Sequence, residues 1–258
     1  MNFEWLYQLR LVVLLPMVFV LVEATAELGN RIGLRFHAAN EGKADFGTLT
    51  GAALGLLALL VAFSISMAES RYDSRREVVL EEANAIGSTA NFALMLPAAS
   101  QKPILDLLRE YAELRITFGI PLDQSTVDQD IARSLDLQTR LWQQAIAVTA
   151  ANPQSLPAYR FVGSLNEINN LHEKRITALR NHVPLTVVLM LIGTAMVAMG
   201  FTGFNAGVAE ARRRPTTLIM SLTISLLIML VIDLDRPYHG LIQVPVQALV
   251  DAAQGIPH

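Results

Sequence analysis

The densest set of ionisable and hydroxyl groups lies in Glu69-Ser-Arg-Tyr-Asp-Ser-Arg-Arg-Glu-Val-Val-Leu-Glu-Glu82. No glycine or proline lies between Phe63 and Ile86, which predicts one unbroken helix. Turning by about 100° per residue, one face of that helix begins with Leu56, Leu59 and Phe63. It continues through Ser66, Ser70 and Ser74 and ends on Glu77 and Glu81. Arg71 and Arg75 lie to one side of it and Asp73 to the other. Carboxylates one turn apart repel each other on an isolated helix, so Glu77 and Glu81 call for water or a partner. Two readings are open. One is a solvated helix face. The other is the wall of an aqueous passage: an apolar constriction that gates by dewetting, a hydroxyl lining, then carboxylates that favour cations when repeated around a ring.

Other polar groups sit at the edges of apolar runs. Glu23 and Glu27 are one turn apart near the end of the first run. Intramembrane carboxylates are costly and point to function by default. Here a headgroup-level location competes with cation binding or pairing to Arg31. Asp233, Asp235 and Arg236 follow the last apolar run and precede Pro237, which forbids helix continuation. They read as a local helix stop or as a clamp between subunits. His172-Glu-Lys-Arg-Ile176 opens like a zinc-protease helix but has isoleucine where the second histidine is needed. There is no G-x-S-x-G, phosphate-binding or dinucleotide glycine motif, and there is no cysteine. No nucleophile, base and acid converge, so neither an enzyme nor a cofactor is expected. A net charge of −3 gives no broad basic surface for nucleic acid.

The elements that must carry these residues are apolar. Of the 258 residues, 52% are hydrophobic and 17% charged, against roughly 25% charged in soluble domains. Mean hydropathy is +0.39. Four runs, about 9–28, 48–67, 183–204 and 217–232, approach the roughly 20 residues that cross a bilayer as helix. The first run has no clear cleavage site and reads as a retained helix. Pro184 suits the first turn of the third run. Glycines four apart, at Gly47, Gly51 and Gly55 and at Gly203 and Gly207, allow close helix approach within or between subunits. Trp142 fits core packing, and Trp5 and Tyr7 an interfacial belt. Basic residues nearly balance on the two sides, so charge bias leaves orientation open. Between the second and third runs, apolar spacing predicts helices over 69–96, 103–118, 126–150 and 157–182, with Ser125 and Asp128 as a capping box. The expected fold is an all-α integral membrane protein with about four transmembrane helices. The expected divisions are 1–68, 69–182, 183–232 and a tail, 233–258.

Ala62-Phe-Ser-Ile-Ser-Met-Ala-Glu-Ser-Arg71-Tyr-Asp-Ser-Arg75 resembles the end of the second helix in the bestrophin family, in its bacterial bestrophin-like branch. Phe63, Arg71, Tyr72 and Arg75 keep that pattern's spacing, and Glu82-Ala-Asn-Ala-Ile-Gly87 looks like its next stretch. Asp233-Leu-Asp-Arg-Pro237-Tyr-His-Gly240 and Val244-Pro-Val-Gln-Ala-Leu249 resemble the family's Pro-Phe-Gly element and following amphipathic helix. The resemblance implies a homopentameric ion channel in a bacterial inner membrane, with permeating inorganic ions and the bilayer as its partners. It implies a neck at Gly55, Leu59 and Phe63, and a cytosolic helical domain. Gly55 departs from the family's bulky apolar residue, Tyr72 and Asp73 replace its paired tryptophans, and only Asp233 and Asp235 remain of an acidic calcium clasp. Calcium activation is therefore not carried over. Arg71, Arg75, Asp233, Asp235 and Arg236 are the expected structural or subunit clamp. The competing expectation is a membrane-anchored helical scaffold or sensor that conducts nothing; a secondary transporter has less support.

Overall fold

A computed structural model describes residues 11–40, 47–118, 124–209, 214–237 and 240–257. Its described residues form helices only: α1 (Leu11–Asn40), α2 (Gly47–Ala93), α3 (Ala98–Thr117), α4 (Gln124–Ala151), α5 (Leu156–Arg180), α6 (Leu185–Val208), α7 (Arg214–Asp235) and α8 (Gln247–Gln254). They belong to two compact units. One takes the chain up to Arg71 together with His182–Ile242; the other takes Tyr72–Asn181 and the chain from Gln243 onward. Trp5 and Tyr7 fall outside the described residues.

The first unit contains α1, the first part of α2, α6 and α7. Among the described residues, four helical stretches are long and apolar enough to cross a membrane. Leu14, Val18, Val22, Leu57, Val61, Leu191, Ala195, Ile228 and Val231 interlock as its core. The tightest contact is between α1 and α6. A Cβ on Gly29 would strike the Gly200 carbonyl, one on Gly33 the Phe204 carbonyl, and one on Gly203 the Ala26 carbonyl. Gly207 meets the Asn30 carbonyl in the same way. Between helices in lipid, where apolar surface gains little by being covered, such backbone approach is a main source of cohesion. Gly203 and Gly207 therefore pack within the chain, whereas a Cβ on Gly51 or Gly55 would meet nothing within 4 Å.

The helix that carries the first apolar run continues past Leu28, since α1 is helical to Asn40. Pro184 stands just before α6 rather than in its first turn, and its carbonyl accepts from the Val187 N–H at 2.9 Å. Two carboxylates fasten the ends of the last spans. Asp235 accepts the Val183 N–H at 3.0 Å on each oxygen. Asp233 accepts the N–H groups of Leu241, at 2.8 Å, and Ile242, at 3.2 Å, so the chain folds back after α7. Gly240 fits this turn because a Cβ there would lie 2.7 Å from the Asp233 carboxylate.

The second unit packs the rest of α2 with α3, α4, α5 and α8. Ile86, Ile104, Leu108, Tyr111, Leu137, Leu141, Phe161 and Ile168 form its core, with Leu249 of α8 fully buried among them and Trp142 against its edge. Gln101 donates from Nε2 to the carbonyls of Leu94 and Leu96, at 2.9 and 2.8 Å, satisfying groups left open at the end of α2. Ser155 caps α5 by accepting the Ala158 N–H at 3.3 Å, with Pro157 in the first turn. Two expectations need correction. α3 starts after Pro97, so Pro103 lies inside it rather than at its head. α4 starts at Gln124, which places Ser125 within the first turn instead of at the cap.

The glycine seam makes a direct prediction. Gly203→Ala pushes a methyl into the Ala26 backbone and should cost about 1–3 kcal/mol or more, read as a lower melting temperature of the purified protein in detergent. Gly51→Ala, with open space around it, should leave that temperature unchanged or raise it slightly.

Candidate functional site: the bare face of α2 and the ion cluster behind it

α2 runs for 47 residues, and its two sides differ sharply. In the first unit Leu57, Val61, Ser64 and Ala68 are buried, while Gly55, Leu56, Leu59, Phe63, Ser66 and Ser70 are exposed. Phe63 is the most open of the large ones, at 63%. In the second unit Arg75, Val78, Val79, Glu82 and Ile86 are buried, while Asp73, Ser74, Glu77, Asn84 and Ser88 are exposed. The buried residues recur at helical spacing, and so do the exposed ones. Each expected pore residue from Gly55 to Glu77 thus lies on a side of α2 that its own chain does not cover. Glu81 is different. It is half-buried and accepts from Lys174 Nζ at 2.5 Å, which offsets its charge and lifts the lysine pKa. Glu77 is exposed and, among the described residues, has no such hydrogen bond, although its charge also acts on Lys174.

The expected clamp residues separate into several environments. Arg71 is half-buried in the first unit and Arg75 almost fully buried in the second. Asp233 and Asp235 hold backbone N–H groups, as described above, and His182 Nδ1 lies 3.6 Å from the Asp235 carboxylate. Arg236 is buried beside them in the chain. Tyr72, at the position of the family's aromatic, donates to the Gln243 carbonyl at 3.4 Å. Of the intramembrane carboxylates, Glu23 accepts from the Ser221 hydroxyl of α7 at 2.6 Å and Glu27 pairs with Arg31 at 2.9 Å.

Behind the acidic face of α2 lies a group the sequence reading did not assemble. Glu82 is fully buried and meets Arg115 Nε and Arg175 Nη1, each at 2.6 Å. Tyr111 donates its hydroxyl to the same carboxylate at 3.1 Å and receives Gln138 Nε2 at 3.4 Å. Arg175 also donates to the Arg115 carbonyl at 3.0 Å, and the Arg115 guanidinium stacks over Phe118 at 4.0 Å. Burial alone would push the Glu82 pKa up, but Arg115 and Arg175 more than offset this and hold it below the usual carboxylate value. Tyr111, buried beside that charge, is pushed far above the ordinary phenol value.

His172 Nδ1 lies 3.3 Å from Arg115 Nη1. A guanidinium can only donate, so Nδ1 must accept and the ring is neutral with its proton on Nε2. Burial and the Arg115 charge push the His172 pKa down to about 4. The signal in the sequence was an arginine at a core position: Leu108, Tyr111 and Arg115 follow one face of α3 at helical spacing.

The sequence profile of the Bestrophin-like domain matches residues 36–249, so the chain belongs to the bestrophin-like family. A mutant of a bacterial bestrophin homologue from Klebsiella pneumoniae superposes with a TM-score of 0.71 at 14% identity, covering 93% of this chain and 97% of that one. Another crystal structure of that homologue gives 0.70 at 13% identity, covering 96% and 97%. A structure described only as a membrane protein gives 0.72 at 12% identity, covering 95% and 97%. No curated protein matches this chain. These similarities show the all-helical bestrophin fold, and with the apolar helices they make the chain a membrane protein.

The cluster sets a pH response. A buried histidine with a depressed pKa binds fewer protons folded than unfolded. Its contribution is present above about pH 6.5 and is lost as pH falls towards 4. Melting temperature should drop across that window, and His172→Gln should flatten the drop. At neutral pH, Glu82→Gln leaves two buried guanidiniums without their counterion and should cost about 3–5 kcal/mol, measured by thermal or denaturant unfolding.

Proposed function

We propose that this chain is one subunit of a homopentameric ion channel in a bacterial inner membrane, with the exposed face of α2 turned towards the central axis. The supporting observation is the exposed side of α2, where apolar residues give way in order to hydroxyls and then to an exposed carboxylate. Ser66 near the end of the span, with Ser70, Ser74 and Glu77 beyond it, continues the exposed side of α2 as one polar stripe, which suits the wall of a water-filled pore. In this arrangement Gly55, Leu59 and Phe63 form the neck, with Phe63 narrowest. Leu56, Ser66, Ser70, Ser74, Glu77 and Glu81 line the path. The four spans within 1–68 and 183–232 cross the bilayer, and residues 69–182 with the 233–258 tail lie in the cytosol. Arg71, Arg75, Asp233, Asp235 and Arg236 hold the segments and neighbouring subunits in register.

The path favours cations. Five copies of Glu77 make a ring of carboxylates, while Glu81 contributes less because Lys174 lies against it. The Glu82 cluster keeps the Glu77 turn of α2 rigid.

Reconstituted in planar bilayers, the protein should pass current with a reversal potential that follows the cation gradient. Glu77→Gln should move that potential towards zero selectivity, and Phe63→Ala should raise unitary conductance severalfold. Chloride-following currents would overturn the selectivity assignment. Particles with α2 sealed against its own subunit and no axial opening would leave a non-conducting scaffold or sensor instead.

A further inference from the structure

The glycine seam between α1 and α6 leaves a trough on the surface of the first unit, of about 500 Å³. Gly29 and Gly200 touch backbone to backbone at its floor and put no side chains there. Its walls are Leu28, Ile32, Leu49, Val197, Phe201 and Phe204, almost wholly apolar. It lies where α1 and α6 end and α2 begins, so it opens in the leaflet on the side of the α1–α2 connection.

Apolar walls alone select nothing in a bilayer, because every lipid tail matches them. The selecting feature is charge at the mouth. Arg35 is exposed and lies two turns beyond Leu28 on the same face of α1. Arg31 is also exposed, and its pairing with Glu27 leaves it at the surface. Phe36 and Phe204, with ring centroids 5.7 Å apart, stand at the same level, where aromatic rings mark the membrane interface. A molecule with a long apolar tail and an anionic head fits trough and arginine together. An extended acyl chain is also slim enough to lie along a floor made of glycine backbone.

We propose that this trough holds an acyl chain of an anionic phospholipid whose phosphate lies against Arg35. The assignment is independent of conduction and needs only that the chain reside in a membrane.

The test is lipid retention by the intact purified oligomer. Delipidated protein is offered phosphatidylglycerol or phosphatidylcholine with identical chains, and bound lipid is counted by native mass spectrometry. The expected result is a severalfold preference for phosphatidylglycerol. Arg35→Gln should bring the two lipids to near parity while retention of phosphatidylcholine stays the same. Val197→Trp, which fills the trough, should reduce retention of both. Should Val197→Trp fail to assemble, the Arg35→Gln comparison decides alone. Equal retention of both lipids by the unmodified protein, an unchanged preference in Arg35→Gln, or a neighbouring subunit's side chains seated in the trough would each overturn the assignment.

Discussion

The structure depends on one helix keeping one side free of its own chain. α2 is apolar where it would cross lipid and strongly charged beyond, and through both stretches its buried residues repeat at helical spacing. Elsewhere in the first unit the chain has found partners for its spans, backbone against backbone along α1 and α6. α2 receives little cover: within its spanning window 22% of residues are buried, against 28% in α1, 33% in the stretch that includes α6 and 39% in α7. An uncovered apolar face can be met by lipid. Beyond the apolar stretch the same side carries Ser70, Ser74 and Glu77, exposed polar groups that water satisfies. The residue types along this side therefore pass from a dry environment to a wet one, as the wall of the proposed pore would.

The charge behind that face is equally constrained. Glu82 sits between Arg115 and Arg175, so the buried group carries more positive than negative charge. A protonated His172 would add to the excess, and for that reason the imidazole is held neutral and used as an acceptor. The arrangement links α2 to α3 and α5 through charge-assisted hydrogen bonds, which are shorter and stronger than neutral ones. Buried ion pairs contribute little net stability compared with apolar packing but punish any rearrangement that separates them. Such a cluster suits a helix whose opposite side must stay in place with nothing of its own chain leaning on it.

Much of this was legible in the sequence, for identifiable reasons. Long apolar runs can only be helices in lipid, so the four candidate spans followed from composition, and the unbroken stretch from Phe63 to Ile86 correctly implied a helix continuing past the span. The errors came from local signals read one at a time. Pro103 heads the helix expected over 103–118, yet Pro97 already supplies that boundary and a helix can give up a single hydrogen bond near its beginning. The first apolar run ends near Leu28, just past Glu23 and Glu27. In fact Ser221 and Arg31 satisfy them and α1 continues to Asn40, which is why Gly29 and Gly33, as important to the seam as Gly203 and Gly207, were passed over. The Glu82 cluster draws on α2, α3, α4 and α5, and no spacing rule within one helix can bring those residues together.

The two carboxylates at the end of the face show how tertiary contacts alter a sequence-level argument. Glu77 and Glu81 are equivalent by spacing, one turn apart on a single helix, and like charges so placed repel. The chain resolves the repulsion unequally: Lys174 of α5 reaches Glu81, while Glu77 is left exposed. In the proposed channel this would concentrate negative potential in one narrow ring instead of spreading it over two. A single ring with water beside it attracts cations without binding them tightly, and conduction needs that balance, since an ion must leave as readily as it enters. Had both carboxylates remained unpaired, repeated charge at two adjacent levels would have deepened the well and slowed exit. Lys174 therefore belongs to the electrostatics of this acidic face although it lies on α5 and both carboxylates lie on α2.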